Sequence, residues 1–127
     1  GAGGGGGGGG APRPPPPGRE AAARAAADGA QARAALEVTA AERHLRVALT
    51  RLEIARRSEE QAAEAHRIVS RKYDGGLATV AELLDAADAE MRTRLGRSSA
   101  RYETLIAIAE RRQAQGRTLE PLTALDP

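Results

Sequence analysis

From Arg19 to about Asp74 the chain contains no proline and a single glycine, Gly29. The break comes at Gly75-Gly76, after which a second helical pattern starts near Thr79. A proline-free, Ala- and Arg-rich run of this kind has few alternatives to a helix, because alanine has the highest helix propensity. If continuous, residues 19–74 span roughly 80 Å at 1.5 Å per residue. Paired glycines release the chain from helical dihedrals and permit a positive φ, as a helix stop requires. The predicted fold is therefore all-α: a long, coiled-coil-like antiparallel helical hairpin with a turn at 75–78 and arms of unequal length.

The apolar positions of the first run step by three and four: Val38, Ala41, Leu45, Ala48, Leu52, Ala55, then Ala62, His66, Val69 and Tyr73. A second set runs beside them, at Leu36, Ala40, Val47, Ile54 and Ile68. One seam suits a two-stranded coiled coil, and two adjacent seams give a helix neighbours on both sides. Glu53, Arg57, Glu60 and Glu64 occupy the remaining face, where pairs four residues apart support the helix. The second helix is predicted over 79–115. Thr79 and Glu82 have the spacing of a capping box, and the apolar stripe runs Leu84, Ala87, Met91, Leu95, Tyr102, Leu105, Ala109. Gly96 and Ser98-Ser99 mark a bend or a close helix contact. Gly116 is the expected C-cap, and Pro121 the barrier to continuation. An irregular tail is expected over 117–127.

Composition sets the style of packing. Aromatic residues make up 2% of the 127, with neither Phe nor Trp, and alanine dominates the apolar count. Each alanine buries little area, so stability has to come from long, close helix contacts, including contacts with other chains. Residues 1–18 are a Gly/Pro-rich segment of low complexity, expected to be a disordered tail with a short polyproline II stretch at 14–17.

Charge and chemistry exclude several function classes. Nineteen basic residues, all but Lys72 arginines, face seventeen acidic ones for a net +2. The sequence pI of about 9.7 follows from this use of arginine. Acids interleave the arginines throughout, so the clustered basic face of a nucleic-acid binder is missing. Cysteine is absent, which excludes disulfides and thiolate metal sites. No apolar run approaches the ~20 residues of a membrane span. His44 and His66 lie about 33 Å apart on one helix, too far to share a metal, and read as packing residues. No catalytic set, phosphate loop, metal site or cofactor site is visible, and no enzymatic activity is expected. Asp74, Glu82, Asp85 and Asp88 gather near the turn. Acids favour a helix N-terminus, which accounts well for Glu82 and less well for Asp85; the other reading puts Asp85 on the pore-facing surface of an oligomer.

The turn and the second helix resemble the outer membrane efflux protein family, the TolC-like exit ducts of Gram-negative bacteria. The resemblance rests on Tyr73-x-x-Gly76, Leu77-Ala78-Thr79-Val80 and Glu82-Leu83-Leu84-Asp85-Ala86. Ala100-Arg101-Tyr102, Leu105-Ile106-Ala107 and Gly116 extend it, and it covers roughly residues 30–120. In that family three chains form an outer-membrane β-barrel continued by a periplasmic α-helical tunnel. Each chain carries two similar repeats, and this sequence is similar to the tunnel hairpin of the second. The resemblance implies a homotrimer, an outer-membrane location with this segment in the periplasm, and a role in export across the cell envelope. It implies a periplasmic adaptor as partner, linked to an inner-membrane pump. Gly75, Gly76, Leu77, Ala78 and Thr79 would form the adaptor-contacting turn; Tyr73, Glu82 and Asp85 would belong to the aperture. Some members carry a basic residue where Ala78 stands, so their aperture lock is missing here. The first repeat and the barrel strands are missing too, and the chain is expected to be a fragment of such a duct. The alternative is a generic coiled-coil interaction module.

Overall fold

The computed structural model describes residue 10, residues 12–15 and residues 18–123, with side chains described as far as Leu119. It is all-helical. Helix α1 is Arg19–Asp74 and helix α2 is Val80–Thr123, and no strand occurs among the described residues. Two compact units divide the chain, residues 1–32 and residues 33–127.

In the first unit, α1 begins where the Ala22 N–H donates to the Gly18 carbonyl (2.9 Å). Residues 19–32 are exposed on every side, so local propensity carries this segment: alanines fill it, and Gly29 costs about 1 kcal/mol. Most of the tail expected over 1–18 lies outside the described residues. Gly10, residues 12–15 and Gly18 are exposed and form neither helix nor strand.

The second unit is an antiparallel helical hairpin. Along α1 a line of residues withdrawn from solvent runs Ala34, Val38, Ala41, Leu45, Ala48, Leu52, Ala55, Glu59, Ala62, His66 and Val69, with Arg56, Ser58, Ala63 and Ser70 half-buried beside it. The line alternates steps of four and three, which is a heptad seam, and it matches the first of the two predicted seams from Val38 to Val69, with Ala34 and Glu59 added and the exposed Tyr73 left out. The centre of the core is Leu45, Ala48 and Ala107, with Ile108 packed against it. Ala41, Ala100, Thr104 and Ala114 are also buried. These side chains are small, so the two backbones approach closely. The Thr104 hydroxyl can therefore donate to the Ala48 carbonyl of the opposite helix (3.4 Å) as well as to Ala100 on its own (2.8 Å).

The structure corrects the predicted face of α2. Leu84, Met91, Leu95, Tyr102, Leu105 and Ala109 are exposed, and of the predicted stripe Ala87 alone is half-buried. The line withdrawn from solvent runs Leu83, Ala86, Glu90, Thr93, Arg97, Ala100, Thr104, Ala107, Arg111 and Ala114, of which Ala100, Thr104, Ala107 and Ala114 are buried, with Ala87 and Ile108 half-buried beside it. It lies one residue away from the predicted stripe, a rotation of about 100° around the helix. The reason is fit. Ala41 and Ala48 leave a narrow seam that admits alanine and threonine, and the larger apolar side chains are turned outward.

Two further expectations change. Helix α2 does not stop at 115: it passes through Gly116 and reaches Thr123, so residues 117–123 are helical. Glycine ends a helix when it takes a positive φ, and among the described residues only Gly76 does so. Across Gly116 the helix stays docked: Ala114 is buried, and Arg117 pairs with Glu37 of α1 at 3.0 Å. Pro121 falls in the last turn, where the carbonyl that loses its donor belongs to the exposed Arg117. Of the two alternatives at Gly96, a bend or a close helix contact, the contact is not formed, since a side chain placed there would meet only open space.

Candidate functional site: the hairpin turn and the polar ladder

The turn is built by a glycine cap followed by a threonine restart. The Leu77 N–H donates to the Lys72 carbonyl (2.7 Å), and the Gly76 N–H to the Tyr73 carbonyl (3.0 Å). This nested pair is a Schellman motif, with Gly76 in the left-handed region at φ 75°. Gly75 adds a bond from its N–H to the Arg71 carbonyl (3.1 Å). On the other side the Glu82 N–H donates to the Thr79 hydroxyl (3.1 Å), and the Leu83 N–H to the Thr79 carbonyl (3.1 Å). The forward half of the predicted capping box is thus formed, with Thr79 as N-cap.

This construction presents the predicted turn residues to solvent. Leu77 is 81% exposed, the most exposed of the large hydrophobics among the described residues. Gly75, Gly76 and Thr79 are exposed, and Ala78 is half-buried. Tyr73 lies in the last turn of α1 and is partly exposed. Glu82 lies in the first turn of α2, with Asp85 three residues on, and both are exposed. Among the described residues, the side chains of Tyr73, Glu82 and Asp85 form neither an ion pair nor a hydrogen bond with one another. The geometry is that of a protruding, mostly uncharged tip with acidic groups set back from it.

A ladder of polar pairs between the helices was not anticipated from the sequence. Glu37–Arg117 (3.0 Å), His44–Glu110 (2.7 Å) and Arg51–Glu103 (4.0 Å) flank the apolar core. Closer to the turn, Glu59 pairs with Arg97 (3.1 Å) and lies 3.9 Å from Arg94. His66 Nδ1 and Glu90 Oε2 are 2.5 Å apart, and Arg94 also donates to Glu90 (2.9 Å). Glu59, His66, Glu90 and Arg97 occupy seam positions that apolar residues fill elsewhere. His66 already stood on the first predicted seam; carrying the 3–4 stepping of α1 through Glu59, and applying the same stepping to α2 from Leu83, would have found the other three.

Electrostatics within α1 are local. Arg56 donates twice to Glu53 (3.0 and 2.7 Å) and Arg57 once (3.1 Å). The Arg56 hydrogen bond, opposed by partial desolvation, holds the Glu53 carboxyl down at about 2. Arg67 lowers Glu64 in the same way. Across the seam, the hydrogen bond from His66 is the main cause holding Glu90 below the ordinary carboxylate range, again against desolvation. No group of three or more His, Cys, Asp or Glu among the described residues is placed to hold a metal ion. No helix of the described residues is long and apolar enough to cross a membrane.

Comparison with models of known families, with curated proteins and with solved structures gives no match.

Proposed function

We propose that this chain is the tunnel hairpin of a TolC-like outer-membrane efflux or secretion duct, with the turn as its docking tip. The observation that carries this reading is the combination of a glycine-capped tip with apolar stripes facing away from the hairpin seam. Leu36, Val47, Ile54 and Ile68 of α1 are exposed, as are Leu84, Met91, Leu95, Tyr102 and Leu105 of α2. Each helix thus offers a second apolar surface after the hairpin has closed. A helix wall built from neighbouring hairpins would cover both.

On this reading the full-length protein is a homotrimer in the outer membrane, with this segment in the periplasm. Gly75 to Thr79 contact a periplasmic adaptor that links the duct to an inner-membrane pump. Tyr73, Glu82 and Asp85 lie at the tunnel aperture. The role is that of a conduit and involves no catalysis. Photo-crosslinkers placed at Leu77 or Thr79 of the full-length protein test it: trapping of a helical-hairpin adaptor supports the proposal. Capture of unrelated proteins alone would sink it.

The strict heptad seam favours a second reading, a coiled-coil interaction module unconnected with transport. Sequencing upstream of Gly1 separates the two. Amphipathic strands and a first hairpin repeat belong to the duct, and continued coiled coil belongs to the module.

A further inference from the structure

The outward stripe of α2 has an order of its own. Its first half is Leu84, Asp88, Met91, Leu95 and Ser98, and its second half is Tyr102, Leu105, Ala109, Arg112 and Gly116. All are exposed, on the side of α2 away from the hairpin seam. The steps alternate four and three throughout, the spacing of a coiled-coil seam. They read the same from either end about the level of Ala100, so the stripe matches in spacing a second copy of itself laid antiparallel.

The residues match as well as the spacing. Antiparallel pairing about that level sets Leu95 against Leu105, Met91 against Ala109, Tyr102 against Ser98 and Leu84 against Gly116, each twice by symmetry. In the last three of these contacts a large side chain meets a small one, which lets facing helices interdigitate. The two charges of the stripe, Asp88 and Arg112, fall opposite each other at both ends. Asp88 pairs with Arg92 on its own helix and keeps about half of its side chain in solvent. Arg112 has no ion pair or hydrogen bond among the described residues.

We propose that this stripe is the interface of a two-fold symmetric dimer, in which α2 packs antiparallel on α2 of a second copy and each α1 lies outside. The contact is isologous, the same surface on both chains, so it closes on itself. From Leu84 to Gly116 it runs roughly 48 Å at 1.5 Å per residue. Leu84, Met91, Leu95, Tyr102 and Leu105 of both copies leave water in it. The charges fix its direction: a parallel pair would set Asp88 against Asp88 and Arg112 against Arg112, like against like. Arg101 comes beside its own counterpart near the axis, and its long stem lets the guanidinium turn to water. The inference does not rest on the transport reading. A duct wall would cover the same stripe with a neighbouring hairpin, and the outcomes below tell the two arrangements apart.

The test uses the complete 127-residue chain, which has no cysteine. Sedimentation at high concentration is expected to give the mass of a dimer; a monomer or a trimer overturns the proposal. Leu95→Gln, away from the seam, should weaken the dimer at least about a hundredfold with helicity unchanged, because two leucines leave the interface at once. Arg112→Asp should weaken it roughly tenfold through like charges at both ends, and adding Asp88→Arg should restore it. Ile54→Gln, on the outward stripe of α1, should leave it unchanged. No loss from Leu95→Gln, or an equal loss from Ile54→Gln as head-to-tail packing requires, overturns the proposal. Orientation is read by single cysteines. Ser99→Cys, beside the axis, should link the two copies on oxidation, and Gln113→Cys, two heptads along the same flank, should not. Any other pattern overturns the proposal, links at both sites being the mark of a parallel pair.

Discussion

Ala107 and Leu105 stand two residues apart on α2 and have opposite fates. Ala107 is 0% exposed against Leu45 and Ala48, whereas the larger and more hydrophobic Leu105 is 64% exposed. If apolar area alone chose the packing face, leucine would be inside, since its burial is worth about 1.5–3 kcal/mol. The seam opposite is lined by Ala41 and Ala48, and it rewards close approach over size. Close approach multiplies short contacts along the length of both helices, each contributing only ~0.1–0.2 kcal/mol per atom pair. It also leaves the large apolar side chains as an unpartnered outer surface, on which the proposed duct wall relies.

Four substitutions and one control break or sharpen that contrast. The largest effect is expected at Ala107→Asp, which places an uncompensated charge in the centre of the seam. The loss should be about 3–5 kcal/mol, or no cooperative transition at all, by urea denaturation. Next comes Gly76→Ala, which forces a side chain into the left-handed region at a cost of about 1–2 kcal/mol. Gly75→Ala is its control, because the added methyl would sit 3.6 Å from the Arg71 carbonyl, in ordinary contact. A Gly75→Ala variant as unstable as Gly76→Ala would refute the cap geometry. Thr79→Ala removes the hydroxyl that accepts from Glu82 and should cost about 1 kcal/mol. The smallest effect is expected at Leu105→Gln, within about 0.5 kcal/mol at high dilution. The same change should weaken self-association measured by sedimentation at high concentration. A Leu105→Gln loss approaching that of Ala107→Asp would mean that the outer stripe is in fact the hairpin seam.

Much of the hairpin could be read from the residues. The ends of α1, the stop at Gly75-Gly76 and the restart at Thr79 obey rules set by neighbours in the chain: propensity, a positive φ, a hydroxyl three residues before an N–H. The first seam of α1 was equally visible, because Val38, Leu45, Leu52 and Val69 mark it with conspicuous side chains. The candidate tip came from the same local rules, and the structure places Leu77 and its neighbours in solvent accordingly. The α2 seam was not visible in that way. Leu84, Met91, Leu95, Tyr102 and Leu105 form the more hydrophobic of two competing heptad stripes, and hydrophobicity does not report the width of the groove opposite. The polar ladder was hidden for a related reason. Glu59, Glu90 and Arg97 look like solvated surface, and His66 like a packing residue, until the partner helix brings opposite charges together.

The amino-acid sequence by itself determined that this chain is helical, where it turns, and that α1 carries apolar seams. These depend on backbone preferences and on residues within a few positions of each other. Tertiary structure decided which face of α2 meets α1, that the helix continues past Gly116, and that His66 is held against Glu90. Each of these depends on the shape or charge of a partner dozens of residues away, and the gain appears only when both surfaces are in place.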